Sequence, residues 1–312
     1  MKAILFPGQG SQIVGMGSEF YNNFETAKKI FKEADERLNF KISKIILEGP
    51  ESELKLTANT QPAILTVSYA IFKVLKNDFN FNLADTKCFA GHSLGEYSAL
   101  VSAGALKFSD AIFLVFERGK AMQNAVPLGK GAMLAIIGLD IEAIKDYLGK
   151  IKIQGICEIA NDNAKGQIII SGDIECINLL EQNLKKDKKK VIPLNVSAPF
   201  HCSLMKPAAE KMREKIDNVT FNKPIKNIVN NVTAQSESDP KKIKNLLVEQ
   251  IYSTVRWRES IINISDKGIK KYIEIGPGKI LTGMIKRTIK NSNCFSINTI
   301  NEIETLTDEF KK

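Results

Sequence analysis

Lys87–Gly104 reads KCFAGHSLGEYSALVSAG, and at its centre stands Gly91-His92-Ser93-Leu94-Gly95, a G-x-S-x-G pentapeptide. A short apolar run, Cys88 to Ala90, leads into it, and an apolar-periodic segment from Leu94 to Val101 leads out, so the stretch reads as strand, tight turn, helix. In a nucleophile elbow of this kind the serine sits on a strained turn flanked by glycines, and its hydroxyl projects at the head of the helix. The next backbone N–H can then help to stabilise an oxyanion. A second reading stays open at this point, in which Ser93 merely caps a helix inside a glycine-rich turn.

What surrounds the elbow is bounded by size and composition. A chain of 312 residues, 44% hydrophobic and 25% charged, has the make-up of an ordinary globular protein, and one large unit plus a small one is expected. The net charge of +9 comes largely from lysine and favours acidic partners through long-range steering. Nucleic acid is disfavoured, because the sequence has no zinc-finger spacing, no aromatic-basic RNA signature and no basic helix with dimerising heptads. The five cysteines, Cys88, Cys157, Cys176, Cys202 and Cys294, show no C-x-x-C pair or even framework, which fits a reducing, cytoplasmic setting. The longest apolar stretch, Ala63 to Leu75, is broken by Ser68 and Lys73, so no membrane span is expected.

Ala3 to Phe6 reads as a buried first strand running into Pro7-Gly8-Gln9-Gly10-Ser11-Gln12. A glycine-bracketed loop at the end of a central strand can present backbone N–H groups to a ligand, or be a plain turn. Phe24 to Leu38 and Ile42 to Leu47 read as helices. From Thr60 the segment QPAILTVSYAIFKVL carries apolar residues at helical spacing, with Pro62 expected in the first turn. Asp110 to Met122 forms a further helix whose face is apolar apart from Arg118. That arginine either snorkels to the surface or binds a substrate carboxylate in a fork geometry.

Between Gly129 and Leu194 the pattern becomes strand, helix, strand, strand, helix, strand. The βαββαβ order is ferredoxin-like. The expected organisation is therefore a large α/β unit of residues 1–127 and 197–312, interrupted by a small ferredoxin-like unit of residues 128–196. The lysine run Lys185 to Lys190 is expected to be a solvated helix end. Only two histidines exist, His92 and His201. An activated serine needs a base tuned near neutral pH. His92, adjacent to Ser93 on the elbow, should diverge from the hydroxyl, which leaves His201 as the histidine available. Beyond it come a strand end at Ile228–Asn231, a helix from Ile243 to Tyr252, a strand at Lys271–Ile275, a helix at Ile280–Ile285, a last strand at Phe295–Ile297 and a charged helical tail to Lys312. Strands alternating with helices argue a mostly parallel sheet.

Taken together, PGQGSQ at 7–12, GHSLGEYSAL at 91–100, ERGKAMQ at 117–123, GAMLAIIG at 131–138, SAPFHCSLMKPA at 197–208 and IEIGPGKILTG at 273–283 resemble the malonyl-CoA:acyl carrier protein transacylases of type II fatty acid synthesis. The resemblance implies an α/β-hydrolase-like core with an inserted ferredoxin-like subdomain. It implies that Ser93 attacks the thioester of malonyl-CoA, that His201 takes the proton, and that Arg118 grips the malonyl carboxylate. It further implies an oxyanion hole from the backbone N–H groups of Gln9 and Leu94, and orientation of His201 by the backbone carbonyl of Gln250. Phe200 and Met122 are expected to line the acyl pocket, with Phe200 disfavouring branched methylmalonyl units. The expected partners are coenzyme A thioesters and an acidic acyl carrier protein, met by basic groups that include Lys286 and Arg287. No metal or tightly bound cofactor is implied, and the expected state is a monomer. The chain departs from the family at Thr254, where a proline is common. A serine hydrolase, a non-catalytic scaffold and a transferase for another acyl-CoA are the rival readings.

Overall fold

The computed structural model describes residues 1–196 and 198–306. Its first strand, β1 (Lys2–Phe6), is buried at every position, as expected for a strand covered on both faces. The remaining strands of the described residues are β2 (Thr86–Gly91), β3 (Gly131–Ile137), β4 (Cys157–Ala164), β5 (Gln167–Asp173), β6 (Lys190–Pro193), β7 (Asn227–Val229), β8 (Ser236–Glu237), β9 (Lys271–Ile275) and β10 (Asn293–Ile297). They form two sheets among the described residues. The larger runs β10-β9-β1-β2-β7-β8 and is parallel except where the short β8 pairs with β7.

Alternation along β1 divides the core between the two faces of that sheet. Ile4 and Phe6 point into one layer, where Phe6 meets Phe72 edge-on at 6.2 Å and stacks on Phe89 at 6.4 Å. Ala3 and Leu5 point into the other, with Trp257, Ile261 and Ile285. In the register of β1 and β2, Phe6 stands beside Gly91. The loop leaving β1 and the elbow leaving β2 therefore emerge side by side at the carboxyl edge of the sheet, where open α/β proteins bind ligands.

The second sheet runs β4-β5-β3-β6 with every pairing antiparallel, and helices Ile141–Gly149 and Ile174–Lys186 interrupt it in the expected βαββαβ order. Here too the period of two separates the faces. Leu134 and Ile136 pack with Ile144, Ile177 and Leu180 in a local core, while Met133 and Ala135 join the core of the larger sheet. The Lys185–Lys190 run is exposed at the end of the helix Ile174–Lys186, as expected for a solvated terminus.

Several elements differ from expectation. The helix through Pro62 begins at Thr57, not Thr60, so Pro62 sits in the second turn and removes one helical hydrogen bond. The helix tolerates this because it is buried on nearly every side, with Ala63, Ile64, Val67, Ile71 and Val74 all fully enclosed. The helix expected to reach Tyr252 spans Pro240–Gln250, started by an Asp239 cap that accepts from the Lys241 N–H at 2.8 Å. Helices Ser18–Asn23, Lys206–Asp217 and Trp257–Asp266 were not anticipated. A 3-10 turn occupies Asn301–Leu306, and the rest of the expected tail helix, residues 307–312, lies outside the described residues. Among the described residues, no helix is long and apolar enough to cross a membrane, and the five cysteines are unpaired.

Candidate active site

The elbow needs both of its glycines for space. A Cβ on Gly91 would lie 1.9 Å from the backbone of Gly95, and one on Gly95 would lie 2.3 Å from the carbonyl oxygen of Phe6. Ser93 between them takes a left-handed backbone with φ of 52°, a strained state for a residue with a side chain. The turn is held from outside by Asn231, at the end of β7. Its Oδ1 accepts from the Ser93 N–H at 2.7 Å, and its Nδ2 donates to the Gly91 carbonyl at 2.8 Å.

His201 also adopts positive φ, at 59°, and its imidazole is fixed at both nitrogens. Nδ1 lies 2.8 Å from the backbone carbonyl oxygen of Gln250, and Nε2 lies 2.8 Å from Ser93 Oγ. A carbonyl can only accept, so Nδ1 carries the proton and Nε2 is left to accept from the serine hydroxyl. Burial, reinforced by the charge of Arg118, pushes the His201 pKa down to about 3. The imidazole is thus neutral, the form a general base requires. The segment carrying Gln250 is pinned to the small sheet: the Val255 N–H donates to Ala160 O at 2.8 Å, Thr254 Oγ1 donates to Ile159 O at 2.6 Å, and Arg258 pairs with Asp162 at 2.7 Å. A proline at position 254 could not make that hydroxyl contact.

Arg118 does not snorkel. It is 1% exposed, with Nη1 donating to Gln61 Oε1 at 2.7 Å and Nη2 donating to Gln250 Oε1 at 2.9 Å and Ser93 Oγ at 3.1 Å. All three acceptors are neutral. An unpaired buried guanidinium is costly, so this placement next to Ser93 equips the site for an anion. His92 diverges as expected, its Nε2 lying 2.7 Å from Asn163 Oδ1 and its ring edge-on to Trp257. No carboxylate touches His201 among the described residues. The buried carboxylate Glu96 instead accepts from Gln250 Nε2 at 2.7 Å and the Asn231 N–H at 3.1 Å.

A cleft opens over the serine, lined by Gln9, Leu94, Arg118, Met122, Phe200 and His201 among others. Met122 and Phe200 are both buried there. The Gln9 loop is pressed against the elbow, since a Cβ on Gly8 would lie 2.4 Å from the His92 carbonyl oxygen. The backbone N–H groups of Gln9 and Leu94 make no hydrogen bond within the protein among the described residues. The site thus holds a strained serine, a neutral base, a buried cation and two unengaged N–H donors. Such a set can form and break an acyl-serine whose acyl group carries a negative charge. Among the described residues, no cluster of three His, Cys, Asp or Glu side chains could hold a metal ion.

Sequence reasoning missed Gln61, Asn231, Glu96 and Asn163. Glu96 stood inside the quoted elbow stretch, and Asn231 at the end of a recognised strand. Gln61 stood inside a helix buried on nearly every side, where an enclosed amide needs a partner and is a signal in its own right.

A family model described as acyl transferase domain matches residues 4–308. A malonyl CoA-acyl carrier protein transacylase of Bacillus subtilis (strain 168) is 44% identical over 99% of this chain and 97% of its own. The crystal structure of an acyl-carrier-protein-S-malonyltransferase from Bartonella henselae superposes with a TM-score of 0.96 at 42% identity, covering 100% of this chain and 99% of that one. A malonyl-transacylase in complex with its type II PKS acyl-carrier protein superposes at 0.94 with 40% identity, over 98% and 99% of the two chains.

Proposed function

The chain belongs to the acyl transferase domain family, and from that premise we propose that it moves the malonyl group of malonyl-CoA onto the phosphopantetheine thiol of an acyl carrier protein, supplying extender units for fatty acid synthesis. It is an acyltransferase. Ser93 Oγ attacks the thioester carbonyl while His201 Nε2 takes its proton. The tetrahedral oxyanion is held by the backbone N–H groups of Gln9 and Leu94. Collapse expels the coenzyme A thiolate, which recovers the proton from His201, and leaves malonyl-Ser93. The carrier thiol then enters, His201 takes its proton, and the same steps run in reverse in a ping-pong sequence. Gln250 acts through its backbone carbonyl, which keeps Nδ1 protonated and Nε2 free to accept. Every covalent step uses protein groups and the two thioesters, so the chemistry calls for no metal or organic cofactor.

The observation that carries this reading is the buried Arg118 guanidinium 3.1 Å from the nucleophile. A malonyl carboxylate can displace the neutral oxygens of Gln61 and Gln250 from its fork, since a charge-assisted bidentate pair is the stronger interaction. A hydrolase of neutral esters has no use for a cation in that place. Met122 and Phe200 supply the apolar wall of the acyl pocket.

Residues 128–196 read as a subdomain inserted between 1–127 and 197–312, a division supported by the separate antiparallel sheet and its own local core. A monomer is the proposed working unit. Unpaired, scattered cysteines support a cytoplasmic setting. The carrier is acidic and transient, drawn by the net charge of +9 and by Lys286 and Arg287, which are exposed on the helix whose first residues border the cleft. The test is to supply malonyl-CoA with and without phosphopantetheinylated carrier. Malonyl-carrier should form far faster than free malonate, and the opposite ratio would make the protein a hydrolase.

A further inference from the structure

Behind the nucleophile lies a chain of buried polar groups that the proposed reaction does not consume. Glu96, in the first turn of the helix Gly95–Ser102, is 1% exposed. Its Oε2 accepts from Gln250 Nε2 at 2.7 Å, and the other end of that same amide, Oε1, accepts from Arg118 Nη2 at 2.9 Å. One neutral amide therefore lies head to tail between a buried carboxylate and a buried guanidinium. Among the described residues no Asp or Glu pairs directly with Arg118, and Glu96 is the carboxylate whose charge reaches it.

We propose that Glu96 is the resident counter-charge of Arg118, relayed through the Gln250 side-chain amide, and that this charge sets how tightly the site holds an acyl carboxylate. The proposal rests on reading Arg118 as the carboxylate clamp. A buried cation needs compensation, yet a carboxylate in direct contact would occupy the fork that the substrate requires. Standing one amide away, Glu96 compensates the charge and leaves only neutral acceptors on the guanidinium. When a malonyl carboxylate arrives, two anions share one cation, so the incoming one is held less tightly than by an uncompensated arginine. That moderation suits a transferase, which must release the acyl group after gripping it.

Linkage gives a second signature. Burial raises the Glu96 pKa to about 7, against the hydrogen bonds of Gln250 and Asn231 and the charge of Arg118, which lower it. A second anion at Arg118 pushes it higher, so malonyl binding takes up a proton and tightens as pH falls through this range. The neighbouring titratable groups are shifted away from that range: Tyr97 is raised to about 12, His201 is lowered to about 3, and burial lowers His92 from its ordinary value, while Arg118 keeps its charge as arginines do.

The experiment compares wild type, Glu96→Gln, Arg118→Ala and the double variant in malonyl-CoA acylation. Glutamine keeps one oxygen to accept from both N–H donors and removes the charge, with an NH2 in place of Oε1. At pH 8, Glu96→Gln should lower the apparent KM for malonyl-CoA roughly tenfold, the scale of one nearby charge at intermediate dielectric, with the effect on KM rather than kcat. In the Arg118→Ala background the same substitution should change nothing. Wild-type KM should fall between pH 8 and pH 6, while that of Glu96→Gln stays level. A raised KM, or a loss confined to kcat, would make Glu96 a purely structural anchor and overturn the proposal. Should Glu96→Gln fold poorly, a level wild-type KM profile overturns it alone. An Arg118→Ala enzyme that still prefers malonyl-CoA to acetyl-CoA would instead overturn the reading of Arg118.

Discussion

Nη2 of Arg118 donates to Oγ of Ser93 at 3.1 Å, so the group proposed to choose the substrate touches the group proposed to attack it. Selection and chemistry share one hydrogen-bond network. A lysine at 118 would keep the charge but not the planar fork. Arg118→Lys should therefore lower malonyl-CoA kcat/KM about 10- to 100-fold in steady-state assays, the cost of one or two lost charge-assisted bonds. Unchanged kcat/KM would remove the bidentate grip.

The acid limb of the proposed reaction follows from His201. Its folded pKa is lowered to about 3 from an ordinary 6.5, so the neutral base persists well below the usual histidine range. Single-turnover acylation at saturating malonyl-CoA should be level from pH 8 down to about pH 5, and a break near pH 6.5 would contradict this. The same shift bears on stability. Below pH 6.5 the unfolded chain binds a proton that folded His201 refuses, so this residue withdraws stability as pH falls from 6.5 toward 3. Replacing His201 with alanine should slow acylation about 10²- to 10⁴-fold, the usual share of a general base.

Gly91→Ala would place a Cβ 1.9 Å from the backbone of Gly95. Backbone cannot step aside as a side chain can, so the variant should lose about 3 kcal/mol or more by chemical denaturation. A loss under 1 kcal/mol would mean the turn is less tightly closed than described.

The elbow, its glycines and the place of His201 beside Ser93 were legible because each rests on a short contiguous motif or on scarcity, with two histidines in the whole chain. Much of the strand and helix order was legible from periodicity, and the βαββαβ unit from its order alone, but the helices Lys206–Asp217 and Trp257–Asp266 were not. What stayed hidden joins residues far apart in sequence. Asn231 clasps the elbow across 138 positions, and Gln250 meets Glu96 across 154. Neither contact leaves a local trace, since a buried Asn or Glu reads like a surface one until its partners are known. Arg118 shows the same limit from the other side: its apolar helix face left snorkelling and carboxylate binding both open, and only the fold buried it and brought Gln61, Gln250 and Ser93 to its fork. Pro62 was misplaced by a turn because the residues ahead of it, Thr57 to Thr60, carry little apolar periodicity.

Phe200 borders the cleft beside His201 and is 7% exposed. Phe200→Ser should open the acyl pocket and raise the methylmalonyl-to-malonyl preference roughly 10-fold or more, the scale of one methyl group in an apolar site. Competition between the two thioesters measures it. An unchanged ratio would reduce Phe200 to core packing.

The most direct test of the central claim is intact-protein mass spectrometry after brief incubation with malonyl-CoA or acetyl-CoA, applied to wild type, Ser93→Ala and Arg118→Ala. A single malonyl adduct on wild type, absent from Ser93→Ala, much weaker in Arg118→Ala and not matched by acetyl, is the expected result. A wild type that takes no adduct, or takes acetyl as readily as malonyl, would contradict it.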